Sequence, residues 1–537
     1  MNTTFLLRLV IAFGAGALAH LAMAPTYYIG ALFLALPALY ILVKNAETSG
    51  GIFLLGWMFG FGYFIFGLHW IGNALLVEGN AFAWAYPLAV AGIPFLLSFF
   101  PATLLWLGRR LADYATPLGW CNFVFALFVS ELMRGTLFTG FPWNLYGAAW
   151  GSDQHLPIAQ TVSVVGLYGL TLLTLFWAAA PGLIWSDGHR PPRLALLIFS
   201  LASLSAAYYM GAARLAHTPT EEHPEIVLHI IQPNIAQHQK WERELLDTHL
   251  NTLYDLSEHS LRGGRAGAVN YIIWPETATI DWLLFSPQHR DRMTNLLQTE
   301  RGDADRQRER GFRLRYLMAG LLRSEGEGDN RALFNSFVMI GPDTNIKGMY
   351  DKHHLVPFGE YIPFNDYIPL STVTGFSGFQ PGAGLQSLPI GPTNQQTRIS
   401  PLICYEIIFP GRAIPGAGSR PDLIVNVTND GWYGLSIGPH QHYAMGRFRA
   451  IESGVPVARS ANTGISALFD PLGRIQGRIE LGLDGTLSRP LPLKIDATFF
   501  ASNIRGWPVN TLLPLAYILF CLSFSGYRRL QNSQSDA

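Results

Sequence analysis

The sequence predicts a polytopic helical membrane domain of about eight spans, joined to one α/β domain. Three observations carry that expectation. Charged residues are 14% of the 537-residue chain, against about 25% in an ordinary soluble domain. Apolar runs of roughly 20 residues, the length that crosses the hydrocarbon, follow one another up to residue 212. Between 213 and 506 charge returns, and short apolar runs alternate with polar stretches of helical spacing.

The expected spans are 5–24, 27–44, 52–76, 82–107, 115–133, 157–185 and 194–212, with an eighth at 508–526. This divides the chain into a membrane domain at 1–212, an α/β domain at 213–506, and an eighth span with its tail at 507–537. Arg8, an apolar stretch and Ala22-Met23-Ala24 imitate a cleavable leader. Further spans follow at once, so this first stretch is read as a retained span. With the N-terminus inside, the inner loops hold Arg8, Lys44, Arg109, Arg110, Arg190, Arg193, Arg528 and Arg529. The short outer loops hold only Arg134. That bias puts 213–506 outside the cytoplasm.

The balance of 37 Lys+Arg against 37 Asp+Glu argues against a nucleic-acid binder, which carries a basic excess. Three cysteines, Cys121, Cys404 and Cys521, exclude a disulfide framework. Two lie in apolar runs, so Cys404 is the one expected to meet water. GxxxxGK[ST], HExxH and CxxC are absent from the sequence. The run Arg301–Arg315 mixes both signs and reads as a solvated helix or insertion.

Within the α/β domain, Glu225–Gln232 reads as a buried strand and 237–262 as a helix. Tyr271–Trp274 is a second strand, followed by Pro275-Glu276, which places a carboxylate at a strand's C-terminal edge, where α/β sites lie. Further strands are expected at 314–320, 333–340, 398–404, 422–427, 455–460 and 465–469.

Three positions carry the chemistry. Cys404 closes the strand Ile399–Cys404. A thiol attacks acyl groups as thiolate and needs a base or a positive charge beside it. Glu276 can serve as that base. Lys352, in Tyr350–Pro363, can supply the charge and stabilise an oxyanion. Each also has a structural reading: a core cysteine, an ion-pair carboxylate, a loop lysine.

Taken together the three resemble the nitrilase superfamily, whose members use Glu, Lys and Cys in that chain order. Eight spans around such a domain resemble its membrane-embedded branch, the apolipoprotein N-acyltransferases. The resemblance rests on Trp274-Pro-Glu-Thr-Ala278, Tyr350–Pro363, Cys404-Tyr-Glu406 and Asn426–Tyr433. Arg449-Ala-Ile-Glu452 through Pro456, Arg459 and Asn462-Thr-Gly464 add to it, as do His69-Trp70 and Gly140-Phe-Pro-Trp143 in the membrane part. It implies an αββα sandwich on the outer face of a bacterial inner membrane. It also implies acyl transfer from a phospholipid, phosphatidylethanolamine favoured, to the N-terminal amine of an S-diacylglyceryl apolipoprotein. A Cys404 thioester would lie between the two steps. No metal, nucleotide or other cofactor is required, and lateral approach of the lipid implies a monomer.

Further residues are expected to support these three. Glu406, placed on the same side of an extended strand as Cys404, can orient Lys352 or form a structural ion pair. Glu360 can lock the lysine loop. Trp241 and Trp432 resemble family positions lining the acyl or lipoprotein site, and each also reads as core. Tyr405 belongs to the cysteine motif. His440 and His442 suggest a metal only by their spacing, without a third ligand. His69 reads as hydrogen-bonded to a neighbouring helix. Residues 355–380 are crowded with apolar side chains and read either as a packed loop or as a lid dipping into the bilayer surface. The alternatives carried are a membrane-tethered amidase or nitrilase with a water-soluble substrate, and a transporter with an accessory domain. Neither accounts for eight spans carrying almost no acidic residue.

Overall fold

The computed structural model describes residues 3–78, 82–187, 190–263, 269–298, 314–326, 331–361, 378–393, 396–416, 418–505 and 511–522. The charged run 301–313 and residues 362–377 of the expected lid lie outside the described residues.

The described part of each expected span carries helical segments. The first half holds α1 (Thr3–His20), α2 (Gly30–Lys44), α3 (Ser49–Leu68), α4 (Tyr86–Leu97), α5 (Phe99–Gly108), α6 (Pro117–Arg134), the short α7 (Leu156–Ala159), α8 (Val162–Ala179) and α9 (Arg190–His217). Among the described residues, five helical segments are long and apolar enough to cross a membrane: Thr3–His20, Ser49–Leu76, Ala83–Gly108, Val162–Trp185 and Arg190–His217. Gly30–Lys44 and Thr511–Leu522 are shorter apolar helices. α6 carries the two charges that apolar spans avoid, and they neutralise each other: Arg134 Nη2 lies 2.6 Å from Glu131 Oε2, both buried. Arg134 Nη1 also donates to the carbonyls of Phe141 and Trp143 (2.6 and 2.7 Å), which shapes the loop after α6.

The expected span at 157–185 is not one straight helix. Gly166 takes φ 69°, and a Cβ there would lie 2.3 Å from the Phe500 ring. The break frees the Leu167 N–H, which donates to Glu452 Oε1 at 2.9 Å.

Two sheets follow. One, of seven strands, has the order β13-β1-β2-β4-β5-β6, with β3 beside β4. Its strands are β1 (Glu222–Gln232), β2 (Val269–Ile273), β3 (Thr279–Ile280), β4 (Leu314–Glu325), β5 (Ala332–Ile340), β6 (Ile346–Asp351) and β13 (Gly485–Pro492). The other, of six, has the order β12-β11-β10-β9-β8-β7. It is built from β7 (Leu388–Ile390), β8 (Thr397–Ile403), β9 (Leu423–Thr428), β10 (Val457–Ala461), β11 (Ser466–Phe469) and β12 (Ile475–Ile479). β1, β2 and β4 run parallel, as do β8, β9 and β10.

The sheets pack face to face through Leu228, Ile230, Tyr271, Ile273, Ile403, Val425 and Val427. α10 (Leu246–Gly263) and, after the short α11 (Asp281–Leu284), α12 (Pro287–Leu297) cover the outer face of the first sheet through Leu250, Leu253 and Met293. The outer face of the second sheet lies against α13 (Ile437–Ser453). This is the αββα sandwich. α13 is capped by Ser436, whose hydroxyl accepts the Gly438 N–H, and ends at Gly454 with φ 66°, a left-handed stop. Its Met445, Phe448 and Ile451 join a core that continues into the membrane helices. The expected helix at 237–262 begins only at Leu246; 237–245 is built of turns.

Candidate active site

Glu276 stands just past β2, on a turn stitched to β4. Trp274 N–H donates to Met318 O (2.8 Å), Ala278 N–H to Gly320 O (2.8 Å), and Gly320 N–H to Pro275 O (3.2 Å). Gly320 makes the close approach possible, since a Cβ there would lie 2.6 Å from Glu276 Cα. The Glu276 carboxylate is buried and spoken for on both oxygens. Oε1 accepts the Asn335 amide at 2.8 Å and Oε2 the Asn429 N–H at 2.8 Å.

Lys352 follows β6. Its backbone N–H donates to Asn335 O at 2.8 Å, so Asn335 holds both the Glu276 carboxylate and the lysine. The buried Nζ lies 2.8 Å from Glu360 Oε1 and 3.5 Å from Glu276 Oε1. Burial works against this ammonium, but Glu360 and Glu276 outweigh it and hold its pKa above the ordinary lysine value.

Cys404 was expected to end a strand. Instead β8 stops at Ile403, and Cys404 opens a 3-10 turn, Cys404–Ile408, with φ 52°. A side chain in that region is strained and must be held by its surroundings. The Cys404 carbonyl receives His442 Nε2–H at 3.1 Å and the Asn426 amide at 3.4 Å. The cysteine was also expected to meet water, yet it is only 7% exposed. Burial pushes the thiol up to about 12; Glu276 adds to this and Lys352 opposes it. These surroundings favour the neutral thiol at Cys404.

The turn also corrects the reading of Glu406. It does not lie beside Cys404 on an extended strand, and among the described contacts its partners are not the Lys352 ammonium. Its Oε1 accepts Tyr350 O–H (2.6 Å), His353 N–H (2.9 Å) and His354 N–H (3.0 Å), while Oε2 accepts Ile403 N–H (2.8 Å). Glu406 thus fastens the lysine loop to the cysteine turn through backbone. The contact with the ammonium falls to Glu360, whose Oε2 also accepts the Val356 N–H at 2.9 Å.

Tyr405 is buried and donates its hydroxyl to Gly140 O at 2.9 Å, a contact with the membrane part. Trp241 and Trp432 are 38% and 43% exposed, so neither is core. His69 is exposed and bonds Phe66 O of its own chain segment (3.0 Å) rather than a neighbouring helix. His442 is fully buried, with Nδ1 2.8 Å from Asp430 Oδ1 and 3.1 Å from Arg459 Nη2. Arg459 Nη2 also donates to Asp430 Oδ2 at 2.7 Å. His442 is thus engaged at both nitrogens, and His440 is only half-buried. Among the described residues, no three His, Cys, Asp or Glu side chains gather as for a metal ion.

Sequence reasoning missed Lys240. It is buried, and its Nζ donates to Glu276 O (3.1 Å) and Thr277 Oγ1 (2.7 Å). Burial lowers its pKa to about 8. Asn335, Asn429 and the His442–Asp430–Arg459 group were missed as well, the last although Asp430 and Arg459 stand inside motifs already noted.

Two family profiles match the chain. Carbon-nitrogen hydrolase covers residues 231–494, and the apolipoprotein N-acyltransferase N-terminal domain covers 15–180. The apolipoprotein N-acyltransferase of Rhodopseudomonas palustris is 36% identical over 535 residues, 96% of this chain and 95% of its own. Those of Brucella melitensis and Agrobacterium fabrum are 36% and 37% identical, with 95% and 96% of this chain covered, and 94% and 96% of their own. Among solved structures, Saccharomyces cerevisiae Nit3, a member of the nitrilase superfamily, matches 50% of this chain and 89% of its own. Identity is 16% and the TM-score 0.35, too slight a likeness to argue from. With both halves matched in order and relatives alike from end to end, the chain belongs to the apolipoprotein N-acyltransferase family.

Proposed function

We propose that this protein moves an acyl chain from a phospholipid to the N-terminal amine of an S-diacylglyceryl apolipoprotein, through a thioester on Cys404. The observation that supports it is the enclosure of Cys404, Glu276 and Lys352 in one buried site whose walls continue into membrane helices.

In the first half-reaction Glu276 takes the thiol proton as sulfur attacks the sn-1 ester carbonyl. The Lys352 ammonium stabilises the oxyanion. The ester C–O bond breaks, the lysophospholipid oxygen recovers the proton from Glu276, and an acyl thioester remains. In the second, the apolipoprotein amine attacks the thioester carbonyl. Glu276 accepts a proton from nitrogen, the C–S bond breaks, and sulfur is reprotonated. A buried thioester survives because water is limited, and it stays reactive toward an amine.

Phosphatidylethanolamine is the proposed donor. The proposed setting is the bacterial inner membrane, with the α/β domain on the periplasmic face and the protein acting as a monomer. The test is a labelled-phospholipid assay with purified protein and a diacylglyceryl peptide. Amide-linked label on the peptide is expected; release of free fatty acid with no labelled peptide would overturn the reading.

A further inference from the structure

The two motifs that the mechanism leaves unused, His69-Trp70 and Gly140–Trp143, lie in the membrane half, yet both reach α13. Trp70 Nε1–H and Trp143 Nε1–H donate to the same atom, Gln441 Oε1, at 3.0 and 2.7 Å. Gln441 is 1% exposed. An indole N–H can only donate, so two indoles fix the amide with its oxygen toward the membrane half. The Trp70 and Trp143 rings lie 4.8 Å apart, and Trp70 packs on Tyr433 at 4.5 Å. Close packing here depends on Gly438, where a Cβ would lie 2.8 Å from the Trp70 ring.

The next residue, His442, carries the contact to the nucleophile. Trp143 lies 5.5 Å from its ring, and its Nε2 holds the Cys404 carbonyl at 3.1 Å. On the other side of the turn, Tyr405 is anchored to Gly140. The loop carrying Gly140 and Trp143 is in turn fixed by Arg134. Two of the contacts that hold the strained Cys404 turn, through His442 and Tyr405, therefore lead to the membrane half, while Asn426 on β9 holds the same carbonyl from within the α/β domain.

We propose that Trp70 and Trp143, acting through Gln441 and His442, are positioning residues that aim the Cys404 sulfur from the membrane side. The inference rests on Cys404 being the nucleophile, as argued above. It gives the membrane helices a role in the chemical step itself, beyond holding the protein in the bilayer and admitting lipid.

The test uses full-length protein in nanodiscs and two acyl donors, a phospholipid and a small water-soluble thioester. Single-turnover acylation of Cys404 is followed by intact mass. Gln441→Leu, and separately Trp143→Phe, which keeps an aromatic ring but is smaller and loses the N–H, should slow both donors alike. The expected loss is roughly ten- to a hundredfold in rate at saturation, the scale of a small misplacement, with little change in the donor concentration needed for half-saturation. Gln441→Glu keeps an acceptor oxygen for both indoles and should recover part of the rate. Asp153→Ala breaks a different contact between the halves, Arg447 with Asp153, and should leave both rates unchanged. Loss confined to the phospholipid, an unchanged rate in Gln441→Leu and Trp143→Phe, or equal loss in Asp153→Ala would each overturn the inference. Cys404→Ala run in parallel separates the two claims: acyl adduct persisting there removes the nucleophile, not the positioning argument alone.

Discussion

At the scale of single residues, the proposed mechanism asks a buried thiol to react with the help of the Glu276 carboxylate. Burial keeps the Cys404 thiol protonated, with a pKa of about 12. Below that value the thiolate fraction rises about tenfold per pH unit. Alkylation of the resting enzyme at Cys404 by iodoacetamide should therefore climb from about pH 7 to about pH 10 without a plateau. A plateau near neutrality would mean a preformed thiolate and no need for Glu276. Glu276→Gln should stop acylation, since an amide cannot take the thiol proton; its single oxygen replaces one of the two acceptors that Asn335 and Asn429 use, so thermal melting in detergent is measured alongside to show that the variant is folded. Lys352→Ala should lower the acylation rate by on the order of 10²–10³, the effect of deleting one oxyanion donor. Intact mass after mixing with phospholipid checks both; robust adduct on either variant removes that residue from the first step. Glu276, Lys352 and Cys404 could be singled out in the sequence because each carries a reactive group inside a distinctive local motif. Lys240 was not, because its neighbours suggest a solvated helix and only the fold turns it inward onto the Glu276 backbone.

Elements explain what the motifs left out. Cys404 looked like the last residue of an apolar strand, and hydrophobic alternation gives no sign that the chain turns left-handed there. The cause lies in distant partners: Asn426 on β9 and His442 on α13 both hold its carbonyl. Behind them Asp430 and Arg459 form a fully buried ion pair. Removing one partner of such a pair costs about 3–5 kcal/mol, because the other is left charged and dry. Asp430→Ala should accordingly show a clear fall in thermal unfolding temperature in detergent, along with weaker acylation. An unchanged melting temperature would mean that Arg459 finds another partner. The lysine loop gives a different kind of test. Phe358 is 76% exposed beside it, so Phe358→Asp should fold normally. If this face meets the bilayer, the variant should slow phospholipid use far more than use of a water-soluble donor. Equal loss on both donors would make the residue a shaper of the site instead.

For the molecule as a whole, composition and hydropathy told the apolar helical part from the α/β part, because long apolar helices leave a strong one-dimensional signal. They did not reveal that the halves share one core. Tyr405, Phe409, Met445 and Phe448 of the α/β part pack into the same cluster as the membrane helices. Such contacts join residues hundreds of positions apart and leave no periodic trace. Residues 213–506 expressed alone would expose this face, an apolar patch that soluble monomers avoid. The fragment should aggregate or unfold without cooperativity, as judged by size exclusion and thermal melting; a monodisperse, cooperatively folded and active fragment would show that the membrane helices are only an anchor. The central claim, a covalent acyl-enzyme, is tested most directly by mass. Purified protein mixed with a phospholipid of defined sn-1 chain, without acceptor, should gain the mass of one acyl group. Peptide mapping should place it on Cys404, and addition of a diacylglyceryl peptide should remove it as the peptide gains the same mass. Acyl transfer to the peptide by Cys404→Ala, or turnover in the parent with no adduct at Cys404, would contradict the account.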